Sequence, residues 1–499
     1  MSNQPIIFEV DTRPHLTAMG SALGREASLE DIPDDWLGYL ASLGIQYIWF
    51  MGVWQLGPAG KAISQSHSEW QGEFRKALPD LQTEDITGSP YAIASYQVDG
   101  CLGGKSALAG LRQRMKKFGL KLCLDFVPNH TGIDHPWVHD HPEYYIHGTS
   151  EHLSKFPANY KSILCHDGPH ILAHGRDPYF PGWADTLQLN YFNQEVQSKM
   201  LETLLDISEQ CDALRCDMSM LVIPEVFSST WQENHLINNP RPVKNSFWPG
   251  ATATIKKSHP GFLFIAEAYW DLEWRLQQDG FDFTYDKKLY DRILTCGAKD
   301  IHEHLHSDPS FGNKCARFLE NHDEPRIASK LEWPKQQCAC LITFLTPGML
   351  LLHEGQLEGN KVRSNVHLRR RILEPVSLEI LAFSEKMLGL IKANHLRESS
   401  WTWVQPLEAW AGNFTHQDFI TFTRKHPKTG LHIFAINYSG HQSQCLFPVP
   451  DQALPDGEVI LTDLLSGSTF NRNGSDLKTN GLFVDLPPWG YHWLHYKPN

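Results

Sequence analysis

Four short stretches of the chain place polar side chains where buried strands would end. LDFVPNH (124–130) offers Asp125, Asn129 and His130, and LRCD (214–217) offers Arg215 and Asp217. AE (266–267) offers Glu267, and ENHD (320–323) offers Asn321, His322 and Asp323. His and Asp are poor strand formers, and a single such cluster reads as a solvated loop with an Asx turn. Four in succession imply one shared cleft holding carboxylates, an arginine and histidines. Such a set suits acid–base and nucleophilic chemistry, with one carboxyl handling a proton and another attacking or stabilising a cation. Arg215 and Asp217, two apart on a strand, share a face, so the guanidinium can orient Asp217 and keep it ionised.

The surrounding pattern explains how these residues could meet. Apolar runs at QYIWFMGVW (46–54), KLCLDFV (121–127), DALRCD (212–217), FLFIAEAYW (262–270), FDFTYD (281–286), RFLENHD (317–323) and MLLLHEG (349–355) read as strands. Helical stretches alternate with them, among them 103–119, 193–210, 252–261 and 333–346. That alternation predicts a parallel sheet. With VDG near residue 98 ending one more strand, about eight units fit before residue 397, which suits a closed (β/α)₈ barrel. The closing helix falls at 377–396. In such a barrel every C-terminal strand end faces one site.

Two stretches depart from the repeat. Residues 131–190, rich in His, Pro, Gly and Tyr, read as an excursion subdomain after strand three. Tyr144, Tyr145, Tyr160, Tyr179, Phe180 and Trp183 within it are expected to pack over the barrel mouth. Short alternating runs after 398 read as an all-β domain. The expected organisation is a barrel over 1–130 and 191–397, the excursion over 131–190, and a C-terminal β-sandwich over 398–499.

Composition narrows the function classes. The chain has 499 residues, 41% hydrophobic and 20% charged, with a net charge of -13. That charge disfavours nucleic acid and anionic membrane as partners. No run is long and apolar enough for a membrane span, and the start lacks a secretory signal, so a cytoplasmic location is expected. The ten cysteines are scattered without zinc-ligand spacing and read as small buried hydrophobes. Oligomeric state has no signature in the sequence.

The motifs DFVPNH, LRCD, AE and ENHD, in this order and spacing, resemble the ordered sequence regions of glycoside hydrolase family 13, the α-amylase family. FDFTYDKKLYD (281–291) and TPGMLLLHEGQ (346–356) also resemble family segments. The resemblance implies a retaining α-glycoside hydrolase whose substrate is a carbohydrate. Asp217 would be the nucleophile, Glu267 the general acid/base, and Asp323 the transition-state stabiliser. Asp125 would hold Arg215, His130 and His322 would donate hydrogen bonds to sugar hydroxyls, and Tyr91 would stack on the sugar.

The same comparison marks departures. Calcium-dependent members carry Lys-His three and four positions after the nucleophile, where this chain has Met220 and Leu221. Gln188 replaces the usual acid before Leu-Asn. Neutral amides hold calcium weakly, so neither metal nor cofactor is expected. Ala92 follows Tyr91, where exo-acting members have Asp and many amylases Trp, so substrate length stays open. A small intracellular α-glucoside is the leading expectation, with glucosylglycerol as one candidate suggested by the family. An amylase acting on glycogen or maltooligosaccharides, a glucosyl transferase or phosphorylase on the same site, and a non-catalytic carbohydrate-binding protein are the alternatives.

Overall fold

The computed structural model describes residues 4–238, 246–449 and 454–497. Eight parallel strands close into a barrel: β1 (Ile6–Asp11), β2 (Tyr47–Met51), β3 (Lys121–Phe126), β4 (Ala213–Cys216), β5 (Leu263–Ala266), β6 (Phe283–Tyr285), β7 (Cys315–Arg317) and β8 (Met349–His353). They neighbour one another in chain order, and β1 pairs with both β2 and β8. The strands are buried on both faces, so they read as near-continuous apolar runs. Ile7, Trp49, Cys123, Ala213, Ile265 and Leu351 pack together inside the barrel. Their neighbours Phe8, Ile48, Leu122, Leu214, Phe264 and Leu350 face the outer helices.

This alternation delivers the polar residues. Glu9 stands two residues after Ile7, Asp125 two after Cys123, Arg215 two after Ala213, and Glu267 two after Ile265. A period of two keeps each on the inner face at the C-terminal end of its strand.

One strand differs from the sequence expectation. The segment ending at VDG, Ile93–Val98, pairs antiparallel with Trp54–Leu56 outside the barrel. The remaining barrel strand is β1, near the chain start. The run 46–54 is also divided, because Gly52 adopts φ 73° between β2 and that hairpin. A Cβ at Gly52 would lie 2.6 Å from Pro90.

Three insertions rise over the C-terminal face. Helices Pro58–Ser66 and Ser68–Ala77 follow β2. After β3, His130–Gly132 and Thr186–Gln188 pair antiparallel. They form a neck below a unit containing the hairpin Tyr160–Cys165 and Gly168–Ala173. The third insertion is the loop after β8, which leads to the closing helix Leu378–Ala393.

The C-terminal part contains β9 (Ser400–Trp403), β10 (Phe419–His426), β11 (Gly430–Asn437), β12 (Ser443–Phe447), β13 (Glu458–Asp463), β14 (Thr469–Asn473), β15 (Leu482–Leu486) and β16 (Tyr491–Tyr496). A six-stranded sheet runs β9-β10-β11-β16-β13-β14, and β12 pairs with β15. Phe419, Leu431, Ile433, Phe447 and Val484 share a core between these sheets. Ile420, Phe422, Phe434 and Trp493 join the barrel's larger core.

Candidate active site

The end of β4 turns sharply. Asp217 follows Cys216, and Met218 takes a left-handed φ of 39°. Arg215 Nη1 donates to Asp217 Oδ1 at 2.6 Å, and Arg215 Nη2 reaches Glu267 Oε2 at 2.8 Å. One guanidinium therefore bridges two carboxyls from neighbouring strands. Met218 N also donates to Glu267 Oε2 at 2.6 Å, and the Tyr269 hydroxyl donates to Oε1 at 2.9 Å. Arg215 itself is buried among the rings of Trp49, Tyr91 and Tyr285, 5.2–5.7 Å from their centroids. With that enclosure it has little freedom to release either carboxyl.

The ENHD stretch divides its labour. Asn321 Oδ1 accepts from Asp323 N at 2.9 Å and Glu324 N at 3.0 Å, an Asx turn. Glu320 faces away and pairs with Arg326 at 2.7 Å. His322 and Asp323 turn toward the site. Asp323 keeps 42% of its side chain exposed, while His322 is buried. Both nitrogens of His322 are engaged: Nδ1 with Glu9, and Nε2 with Asp323 at 3.0 Å and the Tyr91 hydroxyl at 2.8 Å. His322, expected to offer a hydrogen bond to sugar, has protein partners on both ring nitrogens. It fixes Asp323 and Tyr91.

Asp125 also differs from expectation. Arg215 is its register partner across the β3–β4 pair. Its carboxylate instead accepts from Trp49 Nε1 at 3.0 Å and Gly52 N at 2.7 Å. It acts on Arg215 only through the field. His130 is buried on the neck strand, with its ring 5.1 Å from that of Trp183. Burial pushes its pKa down to about 3, so it is neutral and can donate or accept.

The residues at the family's calcium position do not suit that ion. Asn129 Nδ2 donates to Gln188 Oε1 at 3.1 Å, and Gln188 Nε2 donates back to Asn129 Oδ1 at 2.9 Å. The two amides consume each other's oxygens, and Met220 and Leu221 are buried apolar neighbours of the turn. Elsewhere, His395, Glu398 and His426 have ligand atoms within 4.8 Å of one another. They lie at the junction with the C-terminal sheet and have no part in this site.

Asp217, Glu267, Asp323, Tyr91 and His130 line one cavity of about 340 Å³. Trp70, Ser89, Trp183, Asp185, Thr186, Met218, Tyr269 and His367 complete its walls. Trp70 and His367 stand 4.9 Å apart, from the insertions after β2 and β8. Neither was legible beforehand, because each sits in an irregular loop or short helix with no periodic signal. Of the excursion aromatics, only Trp183 reaches the cavity. Tyr144, Tyr145 and Tyr160 are buried in the core of the excursion, whereas Tyr179 and Phe180 are 69% and 67% exposed.

Burial, reinforced by Asp217 and Asp323, pushes Glu267 up to about 7 against the pull of Arg215. Burial raises Asp217 too, opposed by the same guanidinium. Burial lowers His322, but the Asp323 and Glu9 carboxylates outweigh it and hold the imidazolium well above its usual range. Asp323 is raised by burial, yet the His322 charge leaves it well below an ordinary carboxylate. The site thus joins a carboxyl protonated near neutrality to a second carboxyl fixed on an arginine. Such a pair can protonate a leaving oxygen while a carboxylate attacks the adjacent carbon.

Residues 34–371 match the family described as alpha amylase, catalytic domain, and the chain belongs to that family. The alpha-1,4-glucan:maltose-1-phosphate maltosyltransferase of Bifidobacterium longum is 26% identical over 195 residues, 37% of this chain and 20% of that protein. The amino acid transporter heavy chain SLC3A1 of Mus musculus is 24% identical over 179 residues, 34% of this chain and 22% of that one. The aligned part therefore spans about a quarter or less of these relatives. Among solved structures, the maltogenic alpha-amylase AmyB of Thermotoga neapolitana has a TM-score of 0.68 at 16% identity, with 100% of both chains covered. The trehalose-6-phosphate hydrolase of Bacillus licheniformis has a TM-score of 0.65 at 13% identity, with 99% of both covered. These structures share the fold.

Proposed function

We propose that the chain is a retaining α-glycoside hydrolase acting on a small, uncharged α-glucoside. The observation that carries this reading is Arg215 bridging Asp217 and Glu267 at 2.6 and 2.8 Å. So close a bridge favours the short carboxyl separation of retaining enzymes, about 5–5.5 Å, over the ~6.5–9.5 Å of inverting ones. Asp217 attacks the anomeric carbon while Glu267 protonates the departing oxygen. Glu267 then takes a proton from the water that frees the sugar. Asp323, aimed by His322, binds hydroxyls of the distorted ring. Tyr91 supplies a stacking face and His130 a neutral hydrogen bond. Asp125 sustains the charge of Arg215 from behind.

The cavity size supports a small substrate, since about 340 Å³ lies near the lower end of ligand pockets, about 300–1,000 Å³. Among the described residues its lining includes four carboxylates, Asp185, Asp217, Glu267 and Asp323, and no Lys or Arg. That charge disfavours a phosphorylated substrate such as the names of two relatives imply, and suits a glucosylated polyol such as glucosylglycerol. A cytoplasmic location belongs to the same reading. It is supported by ten free cysteines, most of them buried, and no described helix is long and apolar enough to cross a membrane.

The test compares kcat/KM for glucosylglycerol, maltooligosaccharides of increasing length and soluble glycogen. The small glucoside is expected to be the best substrate. Efficiency that climbs with chain length, with internal cleavage of glycogen, would establish an amylase instead. Transfer to a glucan in preference to water would establish a transferase.

A further inference from the structure

A second cavity, larger than the catalytic one, lies away from it. It measures about 860 Å³ and opens between the outside of β7, the segment 305–313 and the edge strand β9. Arg317, Trp401, Trp403 and Lys425 are among its lining residues.

Its polar groups are unbalanced in one direction. Arg317 is 2% exposed, and its Nη1 has no acceptor. The indole Nε1 atoms of Trp401 and Trp403 are buried and likewise unpartnered. All three residues line one space, and a buried donor left unmade is costly. All three call for acceptor oxygens.

The charges point the same way. Arg317 faces Asp286 at 3.2 Å, and that carboxylate also takes His304 at 2.7 Å. Behind the cavity, Arg424 bonds only neutral acceptors: the carbonyls of Leu345 and Leu396, Gln4 Oε1 and Ser399 Oγ. Arg397 is buried against the carbonyls of Gln4, Phe344, Thr346 and Gly348. Of these three buried guanidiniums, Arg317 alone has a carboxylate partner among the described residues, Asp286. Burial, with Arg317 nearby, pushes Arg397 down to about 9. At the rim, Lys425 adds a further cation, while Glu398 faces His395 at 3.7 Å. Excess buried positive charge draws an anion.

The walls select more than charge. Trp401 and Trp403 stand two apart on the edge strand, with ring centroids 6.2 Å apart. Indole faces suit the apolar C–H surface of a sugar ring, and their unpartnered N–H groups suit its hydroxyl oxygens. We propose that this cavity binds a phosphorylated sugar, with the phosphate at Arg317 and Lys425 and the ring against Trp401 and Trp403. The site is separate from the catalytic cavity and independent of the hydrolytic reading.

The test is calorimetric titration of the full chain with glucose 6-phosphate, glucose and inorganic phosphate. Glucose 6-phosphate is expected to bind saturably, at least about tenfold more tightly than either fragment. Lys425→Ala, at an exposed position, and Trp403→Phe, which keeps a ring but removes the N–H, should each weaken it by about fivefold with an unchanged Tm of the free protein. Glu267→Gln should leave the affinity unchanged. Hydrogen exchange should show protection at 305–313 and 400–403. The proposal is overturned by any of four results. These are no saturable binding at millimolar ligand, equal binding of glucose or of phosphate alone, indifference to both Lys425→Ala and Trp403→Phe, or loss of binding in Glu267→Gln.

Discussion

Replacing Glu267 by Gln tests the acid role with almost no change of shape. Glu267 Oε2 accepts from Met218 N at 2.6 Å and is ion-paired with Arg215 Nη2 at 2.8 Å. An amide at position 267 must turn its oxygen to these donors. Its NH₂ then occupies the place of Oε1, beside Tyr269 and the cavity, where it cannot release a proton to a leaving oxygen. Loss of acid catalysis costs about 10²–10⁴ in rate, equivalent to about 2.7–5.4 kcal/mol of barrier. The pH profile supplies a second reading. With Glu267 near 7, the wild-type kcat/KM should fall as pH rises through neutrality, because the protonated carboxyl is the active form. The assay is kcat/KM between pH 5 and 9 on an alkyl glucoside and on a dinitrophenyl glucoside, whose leaving group needs no proton. The variant should lose most activity on the first, together with its alkaline limb, and little on the second. Near-native turnover of the alkyl glucoside, or an alkaline limb on it that persists in the variant, would refute the assignment.

NMR of the first product should show the retained anomer, and Asp217→Asn should abolish turnover by removing the nucleophile; an inverted anomer would rule out the covalent route. Because Asn129 and Gln188 satisfy each other, a chelator should change neither activity nor Tm; loss of activity restored by calcium alone would contradict this. Glu9→Gln should destabilise by about 1–3 kcal/mol at low pH. The raised His322 contributes its stability fully below the unfolded value, about 6.5, and loses it as pH rises through the folded pKa. The Tm gap between variant and wild type should therefore narrow on the alkaline side, and a gap independent of pH would show that the imidazolium is not the group involved.

Most of the candidate site was legible because it sits on regular elements. Asp125, Arg215 and Glu267 continue the inward face of apolar strands, and a period of two is enough to aim them. What escaped detection has particular causes. The strand β1 carries Glu9 and Asp11 among its apolar residues, so its polar positions break the run that would have marked it. The segment 93–98 has strand composition but finds its partner in Trp54–Leu56, a tertiary choice that propensity does not encode. The partners of Asp125 are an indole from β2 and a glycine amide beyond it, and neither is implied by charge. Trp70 and His367 meet only because separate loops fold over the same opening. The aromatics of the excursion were visible as a composition, but the pattern does not say which of them face inward.

The antiparallel neck between His130–Gly132 and Thr186–Gln188 means that the chain leaves and re-enters the barrel at one point. The two strands at one end of an antiparallel ladder can be joined by a two-residue hairpin turn, so the paired Gly132 and Thr186 are natural splice positions. The rest of the excursion behaves as a cassette plugged into a socket that the barrel already supplies. Its exchange changes what the cavity admits, since Trp183 and Asp185 travel with it, while Asp217, Glu267 and Asp323 stay on the strands. In a lineage of such proteins, specificity could be traded by recombination at that socket without rebuilding the catalytic floor.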